Sequence, residues 1–129
     1  MDLNKIQLMG YLTADPEGRK LPSGRSVAQF RLVTQVHTPT RQATVFLDKT
    51  EYHQIVAFDR LADVAAKYLK KGDRVYLDGQ LTTRMWEGQG GAKRSRTEIV
   101  MQNLIMLGGG KQSGRKKRND DVVSEKDGE

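Results

Sequence analysis

Apolar and polar residues alternate along most of this chain, and the alternation marks out strands. In "NKIQLMGYL", Ile6, Leu8 and Leu12 fall on one side and Lys5, Gln7, Met9 and Tyr11 on the other. A pleated strand with a two-residue side-chain period requires that split. "ADPEGRKLPSGRS" is turn-rich through Pro16, Gly18, Pro22 and Gly24. "VAQFRLVTQV" alternates again, with Ala28, Phe30 and Leu32 inward and Gln29 and Arg31 outward. From His37 to Lys49 no period dominates, and the stretch reads as a long hairpin loop framing the sheet. In "TEYHQIVAF", His53, Ile55 and Ala57 suit a core, while Tyr52, Gln54, Val56 and Phe58 point the other way.

The next segment changes period. In "DRLADVAAKYLKKGD", Leu61, Val64, Ala65, Tyr68 and Leu69 fall at i, i+3, i+4, i+7 and i+8, one apolar stripe of a helix. Asp59 is placed to cap its first turn, Lys70 and Lys71 to favour the negative end of its dipole, and Gly72 to stop it. "RVYLDGQLTTRMW" returns to strand. Val75, Leu77 and Leu81 form its apolar side, and Tyr76, Asp78, Gln80, Thr82, Arg84 and Trp86 the other. "EGQGGAK" reads as a flexible hairpin tip, and "RSRTEIVMQNLIML" as a last strand with apolar residues in both registers.

Three strands, a helix and two strands is the order of a five-stranded Greek-key OB-fold barrel, all-β with one helix between strands 3 and 4. Gly108, Gly109 and Gly110 end the folded part, giving a domain over 1–109 and a charged tail over 110–129. The tail has a basic cluster, Arg115 to Arg118, then acidic "DDVVSEKDGE", and too little apolar surface to order itself.

Composition narrows the function. Hydrophobic residues make up 36% of the 129, enough for one modest core, and no apolar run is long enough to span a bilayer. Cysteine is absent, which removes disulfides and thiolate metal sites. The formal net charge of +6 suggests a polyanionic partner. Aromatic residues are only 6% of the chain, yet Tyr52, Phe58 and Trp86 all fall on the polar side of a strand. Rings flanked by cations suit unpaired bases, whose faces duplex DNA hides. The cations expected near the groove are Lys5, Arg31, Arg60, Lys71, Arg84, Lys93, Arg94 and Arg96. The alternative for the rings is packing under the long loop or against a second subunit. The alternative for each cation is an ordinary solvated charge.

Enzyme chemistry finds no foothold. "GGGKQSG" has Gln112 where a phosphate-binding loop needs Ser or Thr, and Ile105 where it needs Gly. Asp120 and Asp121 lie in the tail, and the two histidines, His37 and His53, have no cysteine to join them. No catalytic residue, metal or cofactor is expected, and His53, on the inward side of its strand, reads as a core or interface residue.

The runs "LNKIQLMGYLTADPEGRKLPSGRSVAQFRLVT" and "TEYHQIVAFDRLADVAAKYLKKGDRVYLDGQLTTRMW", with the late "LIMLGG", resemble the bacterial single-stranded DNA-binding protein (SSB) family. The resemblance runs from about Asp2 to Gly109. It implies an OB-fold subunit, usually a homotetramer, around which single-stranded DNA wraps, with bases stacked on Tyr52, Phe58 and Trp86. It also implies a subunit interface near His53. The family's further loop tryptophan is replaced near Thr38, where Phe46 is the only nearby ring. Its terminal Pro-Phe, which docks replication and repair partners, has no counterpart in "DDVVSEKDGE". The basic cluster in the tail is then available to DNA.

The expectation is sequence-independent, non-catalytic binding of single-stranded DNA in replication, recombination and repair, in the cytoplasm and nucleoid, with no membrane role. Two other readings keep the fold: a protein-interaction module with weak DNA affinity, and an RNA binder of the cold-shock kind.

Overall fold

The alternating stretches close on one another. In the computed structural model of the chain, which describes residues 1–39, 46–109 and 122–124, the elements are β1 (Ile6–Leu12), β2 (Glu17–Lys20), β3 (Ser26–Pro39), β4 (Phe46–Phe58), α1 (Asp59–Tyr68), β5 (Asp73–Glu87), β6 (Lys93–Gly109) and β7 (Val122–Ser124). The strand order is β1-β5-β6-β4-β3, and β3 returns to β1 through Tyr11 opposite Val33 and Leu12 opposite Leu32. One pairing is parallel, β4 to β6 at Ile55–Ile99 and Val56–Val100. Five long strands thus form a closed Greek-key barrel with α1 between the third and fourth, which is the OB-fold. The short β2, inside the segment expected to be turns, covers the part of β3 that β1 leaves open.

The barrel is filled from all sides. Leu12, Ala28, Phe30, Leu32, Ile55, Ala57, Val75 and Leu77 meet Leu61, Ala65 and Leu69 from the helical segment, all essentially without exposure. The helical stripe is rotated from the expected one. Ala62 is buried and Tyr68 is exposed, because α1 seals the barrel end with its small residues and turns the phenol to solvent. Asp59 does not cap the helix. It opens the helical span with a left-handed φ of +58, and its carboxylate is turned outward to Arg25.

Two close approaches fix the barrel's shape. A Cβ on Gly10 would fall on the carbonyl oxygen of Val33, and one on Gly79 on that of Val100. Gly79 sits where the β5–β6 register slips: Asp78 faces Asn103, but Gly79 faces Met101. The extra residue in β6 reverses its alternation, so Ile99 and Met101 point inward before it and Leu104 after it. A bulge of this kind strengthens the local twist, and it explains why both registers of that strand are apolar.

Three further expectations change. Leu81 keeps the side of Val75 and Leu77, opposite the buried Ile99, but is itself 45% exposed. The stretch from His37 to Lys49 is largely strand: β3 and β4 stay paired out to Pro39 and Phe46, with 40–45 outside the described residues. Backbone pairing does not need an apolar period, so no periodic pattern marks it. In the tail, Val122–Ser124 pairs with Asn103–Ile105 of β6, an edge that supplies the hydrogen bonds its own composition could not. The rest of the tail, including Arg115 to Arg118, lies outside the described residues.

Candidate nucleic-acid interface

The pairing registers place one set of side chains on one outer wall. Residues facing each other in a ladder share a face. Arg31 therefore lies beside Gln54, Val33 beside Tyr52, and Val27 beside Phe58 on β3 and β4. Beyond the bulge, Thr82 pairs with Glu98, Arg84 with Arg96, and Trp86 with Arg94 on β5 and β6. The parallel contact Val56–Val100 joins the two ribbons into one surface.

On that surface the rings are open. Tyr52 is 62% exposed and Trp86 41%, while Phe58 is half-buried. Each has a guanidinium over it: Arg31 at 5.8 Å from the centre of Tyr52, Arg84 at 5.3 Å from Trp86, and Arg25 at 5.0 Å from Phe58. Such contacts are worth about 0.5–1 kcal/mol at exposed sites. Among the described residues, nothing seals Tyr52 or Trp86 away from solvent, and Phe58 keeps part of its surface. An open cavity of about 390 Å³ at the β5–β6 tip is lined by Trp86, Lys93 and Arg94 with Met85, Glu87 and Ser95.

The cations differ in how they are held. Arg25 donates through Nε and Nη2 to both oxygens of Asp59, at 3.1 and 2.8 Å. Those bonds hold the Asp59 carboxyl below its ordinary range. Arg84 is paired more loosely, its Nη2 3.7 Å from Glu98 Oε2. Lys93, Arg94 and Arg96 are exposed on β6 beside Trp86 and Arg84.

The structure does not bring every expected cation to the rings. Lys5 sits 3.8 Å from Asp78, in a separate network where Gln7 donates to Tyr76 Oη and Tyr76 and Asn103 donate to Asp78. That bond to Asp78 raises the Tyr76 phenol above its usual value. Arg60 is exposed in the first turn of α1. Lys71 follows the helix, its backbone N–H donating to Asp15 at 2.8 Å. His53 is half-buried, with Nε2 2.8 Å from Thr34 Oγ1. Thr38 and Phe46 lie near the far end of the β3–β4 ribbon, and their side chains are outside the described set.

Sequence reasoning missed Arg25 and Glu98. Arg25 sits in a turn, and only the β3–β4 register, with Val27 opposite Phe58, brings it to a ring. Glu98 alternates in phase with Arg94 and Arg96, which was a readable signal for its face but not for its burial.

Two comparisons with known proteins match this fold. The single-strand binding protein family matches residues 3–107. A solved structure described as the Plasmodium falciparum SSB complex with ssDNA is 37% identical, with a TM-score of 0.76, over 83% of this chain and 97% of that one. With an OB barrel of this topology and a family match over nearly all of it, the chain belongs to the single-strand binding protein family.

Proposed function

We propose that this protein binds single-stranded DNA without catalysis, stacking bases on Tyr52, Phe58 and Trp86. Arg31, Arg84, Lys93, Arg94 and Arg96 neutralise the phosphates between them, with Arg60, Lys71 and Lys5 at the margins. The observation that carries the reading is the shared wall on which two open rings, Tyr52 and Trp86, and the half-buried Phe58 each lie beside a guanidinium. Stacking is tolerant of sequence because every base has a π-face. The biological setting that fits such binding is the protection of exposed strands in replication, recombination and repair. The assembly is a homotetramer with His53 near a subunit interface. Residues 1–109 form the binding domain and 110–129 a charged tail.

Trp86 is the only tryptophan, so it reports on its own site. Its fluorescence falls when oligo(dT) is added, and the affinity drops steeply as salt rises. Unchanged emission together with unchanged mobility on a gel would reject the reading. Light scattering with and without a long oligo(dT) gives the subunit count and the stoichiometry together.

A further inference from the structure

Glu98 is an unexpected residue on a surface that attracts phosphates. It lies opposite Thr82, on the face of Arg84, Trp86, Arg94 and Arg96. Its side chain keeps only 8% of its accessible surface, and among the described residues its Oε2 has no hydrogen-bond partner. A buried acceptor without a donor is destabilising and calls for an explanation. Its ion-pair partner Arg84 stands 3.7 Å away, beyond hydrogen-bond length. That same guanidinium lies 5.3 Å from the centre of the Trp86 ring. One planar group of donors therefore bridges an open ring and a buried acceptor.

We propose that Glu98 reads an unpaired guanine. The inference rests on the function proposed above and adds a local base preference to it. The guanine lies on the Trp86 indole where the guanidinium now is, and its N1–H and N2–H donate to the two carboxylate oxygens. Arg84 turns to a neighbouring phosphate.

The choice of base follows from its donor pattern. Guanine carries a guanidine unit within its ring system, so its Watson–Crick edge presents two parallel N–H groups, the fork that also matches arginine to carboxylates. Cytosine and adenine place an acceptor nitrogen beside their single amine, and thymine flanks one N–H with two carbonyls. Each of those would set a lone pair against a carboxylate oxygen. In a single strand these edges are free to be read.

Three labelled oligomers of equal length test this: oligo(dT), the same strand with guanine at intervals, and the same strand with inosine there. Inosine keeps N1–H and lacks the N2 amine. The wild-type protein is expected to bind the guanine strand about tenfold more tightly than oligo(dT), the scale of one bidentate base contact, with inosine between. Glu98→Gln brings the guanine-to-thymine ratio to about one, through lost guanine affinity. Loss of a negative charge raises oligo(dT) affinity slightly. Equal wild-type binding of guanine and inosine overturns the proposal, and that comparison needs no variant to fold. A Glu98→Gln protein that weakens all strands by one factor also overturns it, since that is what merely holding Arg84 would produce. Failure to bind any oligomer removes the proposed function itself, whereas tight oligo(dT) binding with no guanine preference removes only this site.

Discussion

A guanidinium over an exposed ring resembles the base that would replace it, being flat, polarisable and rich in donors. Displacing it costs about 0.5–1 kcal/mol, whereas a stacked base contributes about 1–3 kcal/mol, so under the proposed function a base is expected to win the ring and the freed cation to turn to phosphate. Trp86→Ala is therefore expected to lower affinity for oligo(dT) by about 1–3 kcal/mol, with little change in thermal unfolding because the ring lies outside the barrel core. Trp86→Phe retains most of the binding. Titration of labelled oligonucleotide and a circular-dichroism melt separate the two effects. Arg25 is restrained differently, by the Asp59 carboxylate. Hydrogen bonds from Arg25 lower the Asp59 pKa in the folded state. The pair is thus present above the ordinary aspartate range and is lost as pH falls through the depressed folded value. In Arg25→Ala the Asp59 carboxyl is expected to titrate at higher pH, followed by the NMR shift of its side-chain carbon. No upward movement would show that Arg25 does not set the charge there.

The elements that position the rings are two long hairpin ribbons, and both depend on the barrel beneath them. The bulge beside Gly79 rephases β6, so that the barrel buries Leu104 while the ribbon beyond it carries Glu98, Arg96 and Arg94 together on the outer wall. Any side chain at Gly79 meets backbone rather than a movable group. Gly79→Ala is expected to destabilise the domain by about 1–3 kcal/mol and to weaken DNA binding as the β5–β6 ribbon shifts, read by urea unfolding and oligonucleotide titration. Leu61→Ala, in the helix that seals the barrel, removes a fully buried side chain. A loss of about 2–5 kcal/mol is expected from the cavity it leaves, with binding by the folded fraction unchanged.

For the whole molecule the relevant quantity is charge. With a net charge of +6, the protein releases counterions from each phosphate it neutralises, and the logarithm of its affinity falls linearly with the logarithm of salt. Arg31→Ala is expected to reduce that slope by roughly one, as a phosphate contact does. Lys5→Ala reduces it less, because its ammonium is drawn to Asp78 in a separate network. Equal effects from the two would mean that the strand runs over the Lys5 wall as well.

The sequence by itself determined the five strands of the barrel, the helix, their order and the outward side of the three rings. Those are local facts: alternation in "TEYHQIVAF" and a helical period in "DRLADVAAKYLKKG" depend on neighbours within a few residues. It also put Arg84 near Trp86, since side chains two apart on a strand share a face. Contacts between distant segments were decided only by the tertiary structure. Arg25 and Asp59 lie 34 positions apart along the chain, and a register formed across such a gap leaves no periodic trace in either segment. The same holds for the parallel β4–β6 contact that closes the barrel, the slip at Gly79, and the β7 strand laid on β6. Burial of Glu98 is the sharpest case, because a charged residue in a polar alternation reads as solvated.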